Sequence, residues 1–539
     1  KGIQKTEHQV LLTDEQRDVI ETVLKTKSKF SPYLLHGVTG SGKTEVYMQL
    51  IEDVVKRGKE AIVLVPEISL TPQMVERFQN RFGEQVAILH SRLSAGEKYD
   101  EWRRIERQEV SIVIGARSAI FAPFLNLGMI IVDEEHSTTY KQENMPKYHA
   151  IDMALKRAKT YQCPIILGSA TPSLESYTRA KLGVYQLLEM NHRVNDSFPE
   201  IIFVNMKDEI KAKHSVLSRL LIEKIKERLE KKEQVILLLN KRGYARVVTC
   251  KHCGYVDMCP NCDIPFIYHK ETHSMQCHYC GMNKPILRKC PSCGEAEFQT
   301  FGMGTEKLEE LVKSTFEGAS VLRMDVDTTS RKGSHEKMIH DFESHKYDIL
   351  IGTQMIAKGL DFENVTLVGV LEGDNSLNIP DFRSAERTFQ LLNQVSGRAG
   401  RGNLKGEVVI QGFQLDHYSI LSASKHDYIG FYNQEMNLRK KLNYPPFSNL
   451  TLIQLKGKDE KALLKEADKV KKFLSSEQDV MILGPSFASI PKINQVYTIQ
   501  IILKYKKTDK LLKRLSFLIE QYATNKSCKL EVDMNPIRM

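Results

Sequence analysis

Residues 37–44 decide the fold, and they read Gly37-Val38-Thr39-Gly40-Ser41-Gly42-Lys43-Thr44, the pattern G-x-x-x-x-G-K-T. They follow a short apolar run at 33–36, which predicts a strand before the loop and a helix after it. Glycines let backbone N–H groups turn inward around phosphate oxygens, and the helix dipole favours the same anion. Lys43 is placed to reach the β- and γ-phosphates, and the Thr44 hydroxyl to ligand Mg²⁺. A chance glycine-rich turn is the alternative, and a second motif disfavours it.

Four later apolar runs are each followed by polar residues: 61–65 by 66–73, 111–114 by Gly115-Ala116-Arg117-Ser118, 129–132 by Asp133-Glu134-Glu135-His136, and 164–167 by 168–172. Runs of this kind predict buried parallel strands, and an open α/β sheet binds ligands at the carboxyl ends of its strands. We therefore expect Asp133 to hold Mg²⁺, Glu134 to activate the attacking water, and His136 to relay to neighbouring motifs.

Two stretches in this first unit have two readings each. Thr13 and Gln16 have capping-box spacing at the start of a predicted helix, and Gln16 either does that structural job or reads an adenine edge. Residues 138–149 contain Tyr140, Lys141 and Tyr148, and aromatic side chains beside cations suit base stacking and phosphate neutralisation. The alternative is a surface loop with its aromatic side chains turned inward, which composition alone favours.

A second α/β unit starts near Ile201, with a buried strand predicted at 234–239. It ends in Gln394-Val395-Ser396-Gly397-Arg398-Ala399-Gly400-Arg401, the pattern Q-x-x-G-R-x-G-R. Arginines three apart lie on one helix face, so we predict that Arg398 and Arg401 reach the γ-phosphate as arginine fingers. Ordinary surface arginines are the alternative, and the order of the motifs disfavours it.

A cysteine segment interrupts the second unit. It contains eight of the ten cysteines in four C-x-x-C pairs: Cys250, Cys253, Cys259, Cys262, Cys277, Cys280, Cys290 and Cys293. Two such pairs supply the four thiolates of one tetrahedral zinc, so the segment predicts two structural Zn²⁺ with no open position for catalysis. Clustered free thiols also fit a reducing cytoplasm better than a disulfide framework.

Composition and the C-terminal part add less. The 539 residues carry a net charge of +10, and residues 425–539 contain 21 Lys and Arg against 12 Asp and Glu. This excess favours a polyanion such as nucleic acid, and a solvated Lys-rich face explains it equally well. No apolar run is long enough to span a membrane. The chain begins with Lys1, so we expect a fragment with domains missing upstream.

The sequence predicts an α/β fold with the following divisions: lobe 1 at 1–195, lobe 2 at 196–243 and 300–412, a zinc-binding insertion at 244–299, and a small α+β domain at 413–539. The last domain is predicted from alternating strands near 450–455 and 496–502 and helices near 459–475 and 508–524. Its sequence alone does not disclose a function.

The ordered motifs at 37–44, 133–136, 168–172, 352–354 and 394–401 resemble those of superfamily 2 helicases. The four C-x-x-C pairs inside the second lobe, with 115–124 (GARSAIFAPF) and 168–176 (GSATPSLES), resemble more narrowly the PriA family of bacterial replication-restart helicases. The resemblance covers essentially the whole chain. It implies two RecA-like lobes and a 3′-to-5′ DNA helicase that acts at abandoned forks and D-loops and helps to assemble the primosome.

The resemblance also implies site residues and partners. ATP contacts are expected from Gln16, Gly37, Val38, Thr39, Gly40, Ser41, Gly42, Lys43, Thr44, Gly359, Asp361 and Gln394, and DNA contacts from Arg117, Tyr140, Lys141, Tyr148 and Thr353. Nested zinc pairing would join Cys250 and Cys253 to Cys290 and Cys293. The expected partners are single-stranded and forked DNA, single-strand-binding protein, and primosome and helicase-loader proteins.

The chain differs from the family pattern in two ways, and two alternative functions compete with the helicase prediction. Family members carry a 3′-end-binding domain and a winged helix ahead of the helicase, so fork-end recognition should be weak here. Residues 491–497 are poorer in arginine than the family pattern, which weakens any DNA contact there. A non-enzymatic primosome scaffold is one rival, and Glu134, Arg398 and Arg401 argue against it. A double-strand translocase or RNA helicase on the same motor is the other.

Overall fold

A computed structural model describes the following residues: 11–66, 72–91, 93–193, 198–212, 214, 216–240, 247–250, 257, 260, 266–269, 274–276, 282–291, 293–296, 298–301, 304–325, 328–329, 333–353, 356, 362–378, 381–400, 405–412, 415–477, 479–507, 509–525 and 527–537. The chain divides into two compact units, Lys1–Asn240 with Val312–Gln434, and Lys241–Leu311 with Glu435–Met539. The boundaries predicted between domains stay predictions. Within the described residues, no helix is both long and apolar enough to cross a membrane.

The first lobe lies in the first unit. Its elements are α1 (Asp14–Leu24), β1 (Ser31–Gly37), α2 (Lys43–Lys56), β2 (Glu60–Leu64), α3 (Pro72–Phe82), β3 (Val86–Leu89), α4 (Ala95–Glu106), β4 (Ile112–Gly115), β5 (Leu127–Val132), α5 (Ala150–Tyr161), β6 (Pro164–Ser169), α6 (Leu174–Lys181) and β7 (Gln186–Met190). The strands form a parallel sheet in the order β3-β4-β2-β5-β6-β1-β7. Strands β2, β5 and β6 are buried along their whole length, which explains why they read as unbroken apolar runs.

This strand order positions the site. Strands β5, β6 and β1 are consecutive neighbours in the sheet, with β5 at its centre. Because parallel strands end at one edge, the phosphate loop after β1, Asp133 after β5 and the 168–172 segment at the end of β6 meet there. Helix α2 packs against the sheet with six buried residues and so fixes the loop that precedes it.

The second lobe also lies in the first unit and forms another parallel sheet. Its elements are β8 (Glu200–Asn205), α7 (Met206–Lys211), α8 (Arg219–Glu230), β9 (Gln234–Leu239), β15 (Val321–Met324), α10 (Ser334–Glu343), β16 (Ile349–Gly352), β17 (Val365–Leu371), α11 (Ser384–Ser396), β18 (Glu407–Gly412) and α12 (Tyr418–Ser424). The strand order is β15-β16-β9-β17-β18-β8, with every pair parallel. The predicted pair of parallel-sheet lobes is therefore confirmed.

The second unit contains two antiparallel sheets. The cysteine region forms one from β10 (Val247–Cys250), β11 (Ile267–His269), β12 (Ser274–Gln276), β13 (Asn283–Pro285) and β14 (Phe298–Phe301). The C-terminal part forms the other from β19 (Asn449–Gly457), β20 (Val480–Ile493), β21 (Val496–Tyr505) and β22 (Lys529–Met534), with α14 (Glu460–Leu474) and α15 (Asp509–Tyr522) packed on a shared core. Helices α9 (Thr305–Thr315) and α13 (Tyr428–Leu442) contain two of the three boundaries between units. The predicted α+β character of the C-terminal part is confirmed.

Candidate active site

The phosphate loop has the shape that its sequence predicts. Gly40 and Gly42 adopt φ of +85° and +79°, a left-handed conformation that only glycine takes readily. The Lys43 ammonium donates to the Gly37 carbonyl at 2.6 Å, so the side chain lies along the loop. Among the described residues, Ser41 Oγ is buried without a hydrogen-bond partner. A buried hydroxyl donor, a lysine and a helix N-terminus around one glycine-rich loop fit a bound triphosphate.

Gln16 does the structural job that was one of its two readings. Its side-chain oxygen accepts from the Thr13 amide at 3.0 Å, and the Gln16 amide in turn donates to Thr13 Oγ1 at 3.3 Å. This capping box starts α1. The Gln16 side-chain nitrogen also donates to the Ser41 carbonyl at 3.2 Å, which attaches the helix to the phosphate loop. Recognition of adenine by Gln16 stays a prediction.

Asp133 lies at the end of β5, next to a tyrosine that sequence reasoning missed. The Tyr47 hydroxyl donates to Asp133 Oδ1 at 3.0 Å; Tyr47 is fully buried and Asp133 is half-buried. Burial raises the pKa of Asp133 to about 6, the Glu134 charge adds to the rise, and Lys43 opposes it. A carboxylate so close to the phosphate loop fits the coordination of Mg²⁺, whose charge would favour its ionised form.

Glu134 meets a side chain from the second lobe. Its Oε2 accepts from Gln394 Nε2 at 3.0 Å, and the same amide lies 2.8 Å from His136 Nε2. His136 Nδ1 lies 2.7 Å from Ser169 Oγ at the end of β6. His136 therefore links the acidic motif to two other motifs, as the sequence predicts. The backbone of Glu134 is left-handed, with φ of +48°, which is uncommon for glutamate.

The third acidic residue, Glu135, is structural. It accepts hydrogen bonds from the Ser173 amide, the Ser173 hydroxyl and the Ser176 hydroxyl at 2.6, 3.1 and 2.9 Å. Burial raises its pKa to about 7, against the lowering effect of these donors. The contacts attach the acidic motif to the start of α6, which follows the 168–172 segment.

Gly397 and Arg398 follow the end of a helix, and Gly397 lies beside the phosphate loop. Helix α11 ends at Ser396, so the prediction that Arg398 and Arg401 share a helix face is wrong for Arg398. Gly397 caps the helix, and a Cβ there would come within 2.5 Å of Thr39 Cγ2. This close approach requires glycine, and it places the turn that carries Arg398 against the phosphate loop. Arg401 lies outside the described residues.

The loop that was predicted to bind DNA is tied inward at its centre. Tyr140 is fully buried, and its hydroxyl donates to the Asp133 carbonyl at 2.5 Å and lies 3.0 Å from the Leu64 carbonyl. Lys141 is only 6% exposed. The predictions that Tyr140 stacks on DNA and that Lys141 contacts it are therefore wrong for this arrangement. Buried aromatic hydroxyls need a partner, and two strand ends supply it.

An exposed aromatic edge lies next to the buried centre of this loop. Tyr148 is half-buried, its ring lies 5.1 Å from that of Phe121, and the Arg117 guanidinium lies 5.9 Å from its centroid. Phe121 is 47% exposed, and sequence reasoning did not select it. Arg117 donates to the carbonyls of Thr139 and Lys141 at 3.2 and 2.7 Å. Aromatic rings beside a cation form a surface on which bases can stack.

The remaining predicted residues are covered unevenly. Thr353 is half-buried just after β16, while Gly359 and Asp361 lie outside the described residues. The side chains of six of the eight predicted zinc ligands also lie outside them. Cys290 and Cys293 flank a tight turn in which the Gly294 amide donates to the Cys290 carbonyl at 2.9 Å. Neither of these two cysteines is in a disulfide, and zinc ligation by them stays a prediction.

Two of the residues that sequence reasoning missed had different signals. Tyr47 lies four residues after Lys43, on the same face of α2, so its position in the site follows from helical spacing. Gly168 matches it, because a Cβ at that position would overlap the Tyr47 hydroxyl. Phe121 had only its place inside the 115–124 motif, which does not distinguish an exposed ring from a buried one.

Four known families match successive parts of the chain. They are DEAD/DEAH box helicase at 13–180, the PriA DNA helicase Cys-rich region domain at 259–285, Helicase conserved C-terminal domain at 297–403, and Primosomal protein N C-terminal domain at 440–537. The first covers the first lobe except β7, and the third covers the part of the second lobe from β15 to α11. Both lobes of the site therefore match helicase families.

Similar whole proteins agree with this assignment. Replication restart protein PriA of Bacillus subtilis (strain 168) is 53% identical over 100% of this chain and 68% of its own length. PriA of Synechocystis sp. is 43% identical over 98% of this chain and 64% of its own length. Among solved structures, Mss116p bound to ssRNA and AMP-PNP has a TM-score of 0.50 at 14% identity, covering 78% of this chain and 73% of that one, and shares the fold alone.

Proposed function

This chain belongs to the PriA family of replication restart proteins, and we propose that it translocates 3′-to-5′ on DNA and unwinds stalled or abandoned replication forks and D-loops. It is a superfamily 2 helicase, with both helicase domains present. It spans only 68% and 64% of the two relatives above. Three further properties of this chain are therefore proposals: assembly of the primosome, binding of single-strand-binding protein and loader proteins, and a cytoplasmic location.

The contact between Gln394 and Glu134 carries the proposal. It joins the last motif of the second lobe to the acidic motif of the first, beside a phosphate loop that Gly397 also approaches. Hydrolysis then depends on closure of the lobes, and the same closure moves one lobe against the other along a bound strand. This coupling is what distinguishes a motor from a scaffold that binds ATP as a conformational ligand.

The roles of the residues follow from their positions. Lys43, Ser41 and the loop amides would hold the phosphates, and Thr44 and Asp133 the Mg²⁺, which neutralises charge on the phosphates when bound. Glu134 orients and deprotonates the attacking water, and Gln394 fixes the Glu134 carboxylate. Two structural Zn²⁺ would be held by the four C-x-x-C pairs.

DNA contacts are proposed at the exposed aromatic edge. Arg117, Tyr148 and Phe121 together offer a stacking surface with one cation, and they belong to the lobe that holds the phosphate loop. Contacts of this kind bind single strands without reading sequence. Thr353 stays a proposed contact in the second lobe.

Steady-state ATP hydrolysis with single-stranded DNA, single-stranded RNA or no nucleic acid tests the proposal. We expect strong stimulation by DNA only, and we expect Glu134→Gln to keep nucleotide binding while losing turnover. Glu109→Gln, an exposed glutamate on the same lobe, is the matched control and should retain turnover. Equal stimulation by RNA would favour an RNA motor, and a negligible rate with tight DNA binding would favour the scaffold.

A further inference from the structure

A buried arginine outside every motif contacts the phosphate loop from behind. Arg193 follows β7, in the link that leads to the second lobe, and is only 8% exposed. Its Nε donates to the Thr39 carbonyl at 3.0 Å. A Cβ on Gly40 would lie 3.0 Å from the same Nε, so the guanidinium fills the space behind the left-handed turn. The Arg193 side chain therefore packs directly against the turn at Thr39 and Gly40.

The other side of this guanidinium leads to the second lobe. Its central carbon lies 5.3 Å from the ring centroid of Phe198, and the Phe198 ring lies 4.6 Å from that of His426. His426 Nδ1 is 3.0 Å from Asn393 Oδ1, in α11, directly before Gln394. Burial, and then the Arg193 charge, lower the pKa of His426 to about 4, so the imidazole is neutral and does not repel the arginine near neutral pH.

We propose that Arg193 is a positioning residue for ATP hydrolysis, which holds the phosphate loop in its phosphate-receiving shape and links that loop to α11. Because Arg193 holds the Thr39 carbonyl outward, the amides of the phosphate loop stay directed inward. The loop therefore loses less conformational entropy when nucleotide binds. The guanidinium donates through Nε while its central carbon lies 5.3 Å from the Phe198 ring centroid. Lysine cannot do both. The inference rests on the proposed role of the loop as the ATP phosphate site.

The test uses Arg193→Ala and Arg193→Lys in the full chain, with two readouts. Binding of a fluorescent ADP analogue should weaken by about tenfold in both variants, the size expected for loss of one charged hydrogen bond. The KM for ATP should rise by a similar factor, with a smaller change in kcat. Millimolar guanidinium chloride should restore binding to Arg193→Ala, whose cavity admits the ion, but not to Arg193→Lys.

Arg157 offers a matched control in the same lobe. It also donates to backbone carbonyls, those of Ile120 and Ala122 at 2.5 and 2.9 Å, and lies 5.6 Å from the Tyr161 ring. Arg157→Ala should lose stability without losing nucleotide affinity. The inference is wrong if Arg193→Ala and Arg193→Lys bind the analogue as the unmodified chain does, or if Arg157→Ala weakens binding equally.

Nucleotide binding also separates this inference from the proposed function. An unmodified chain that binds the analogue but does not hydrolyse ATP, with or without DNA, overturns the proposed function alone. The Arg193 inference is then still decided by the affinities of the two variants and by rescue with guanidinium.

Discussion

Replacement of Gln394 with alanine should slow hydrolysis without weakening nucleotide binding. The Gln394 amide is buried, donates to Glu134 Oε2 at 3.0 Å and lies 2.8 Å from His136 Nε2. A hydrogen bond to a charged group contributes about 1.5–3 kcal/mol, which corresponds to about 10- to 100-fold in kcat if the bond is made in the transition state. The affinity for nucleotide should change by less than about twofold, because the amide contacts the carboxylate and not the phosphate loop.

The assay is DNA-stimulated ATP hydrolysis over a range of ATP concentrations, with Gln390→Ala as the control. Gln390 lies one turn earlier on α11, and its amide donates to Glu386 Oε1 at 3.5 Å rather than to Glu134. That variant should keep its kcat. Gln394→Glu should be at least as slow as Gln394→Ala, since it sets a second negative charge against Glu134. Normal turnover by Gln394→Ala would refute the reasoning.

Three further predictions concern stability and metal content. Gly168→Ala should lower the free energy of unfolding by denaturant by about 1–3 kcal/mol, because the new Cβ overlaps the Tyr47 hydroxyl. Adding Tyr47→Phe should recover only part of this loss, because the Cβ would still lie 2.9 Å from the ring carbon Cζ. Burial opposes ionisation of Glu531, but hydrogen bonds from Lys529 and Lys456 outweigh it and lower its pKa to about 2. The stabilisation is therefore present above about pH 4.5 and lost towards pH 2, so Glu531→Gln should cost about 1 kcal/mol near pH 7 and nothing near pH 2. Native mass spectrometry should find two zinc ions per chain and one fewer in Cys290→Ser, and retention of both would contradict the ligand assignment.

The parts of the site that follow strand ends could be predicted from sequence. Lys43, Asp133 and the 168–172 segment each follow an apolar run, and parallel strands bring their carboxyl ends to one edge whatever lies between them. The helix-capping role of Gln16 was likewise visible in local spacing. Local chemistry and strand order were enough for these residues.

Side-chain direction could not be predicted in the same way. Tyr140 and Tyr148 lie in the same loop and have similar neighbours in sequence. Only the Tyr140 hydroxyl contacts backbone carbonyls at the ends of two strands. Arg193 carries no periodic signal, and its partner Thr39 lies 154 positions away. Such contacts depend on how distant segments are placed in three dimensions, which no local pattern records.

The buried anchor at Tyr140 has a mechanical consequence. Arg117 is tied to the loop at Thr139 and Lys141, and Tyr140 between them is tied to the backbone of Asp133. These hydrogen bonds follow one another within a few residues and are 3.2, 2.7 and 2.5 Å long. If Arg117 holds a DNA strand, as proposed, tension on that strand would pass through these hydrogen bonds to the backbone of Asp133, the proposed Mg²⁺ ligand. We then expect a load on the DNA to change the rate of ATP hydrolysis.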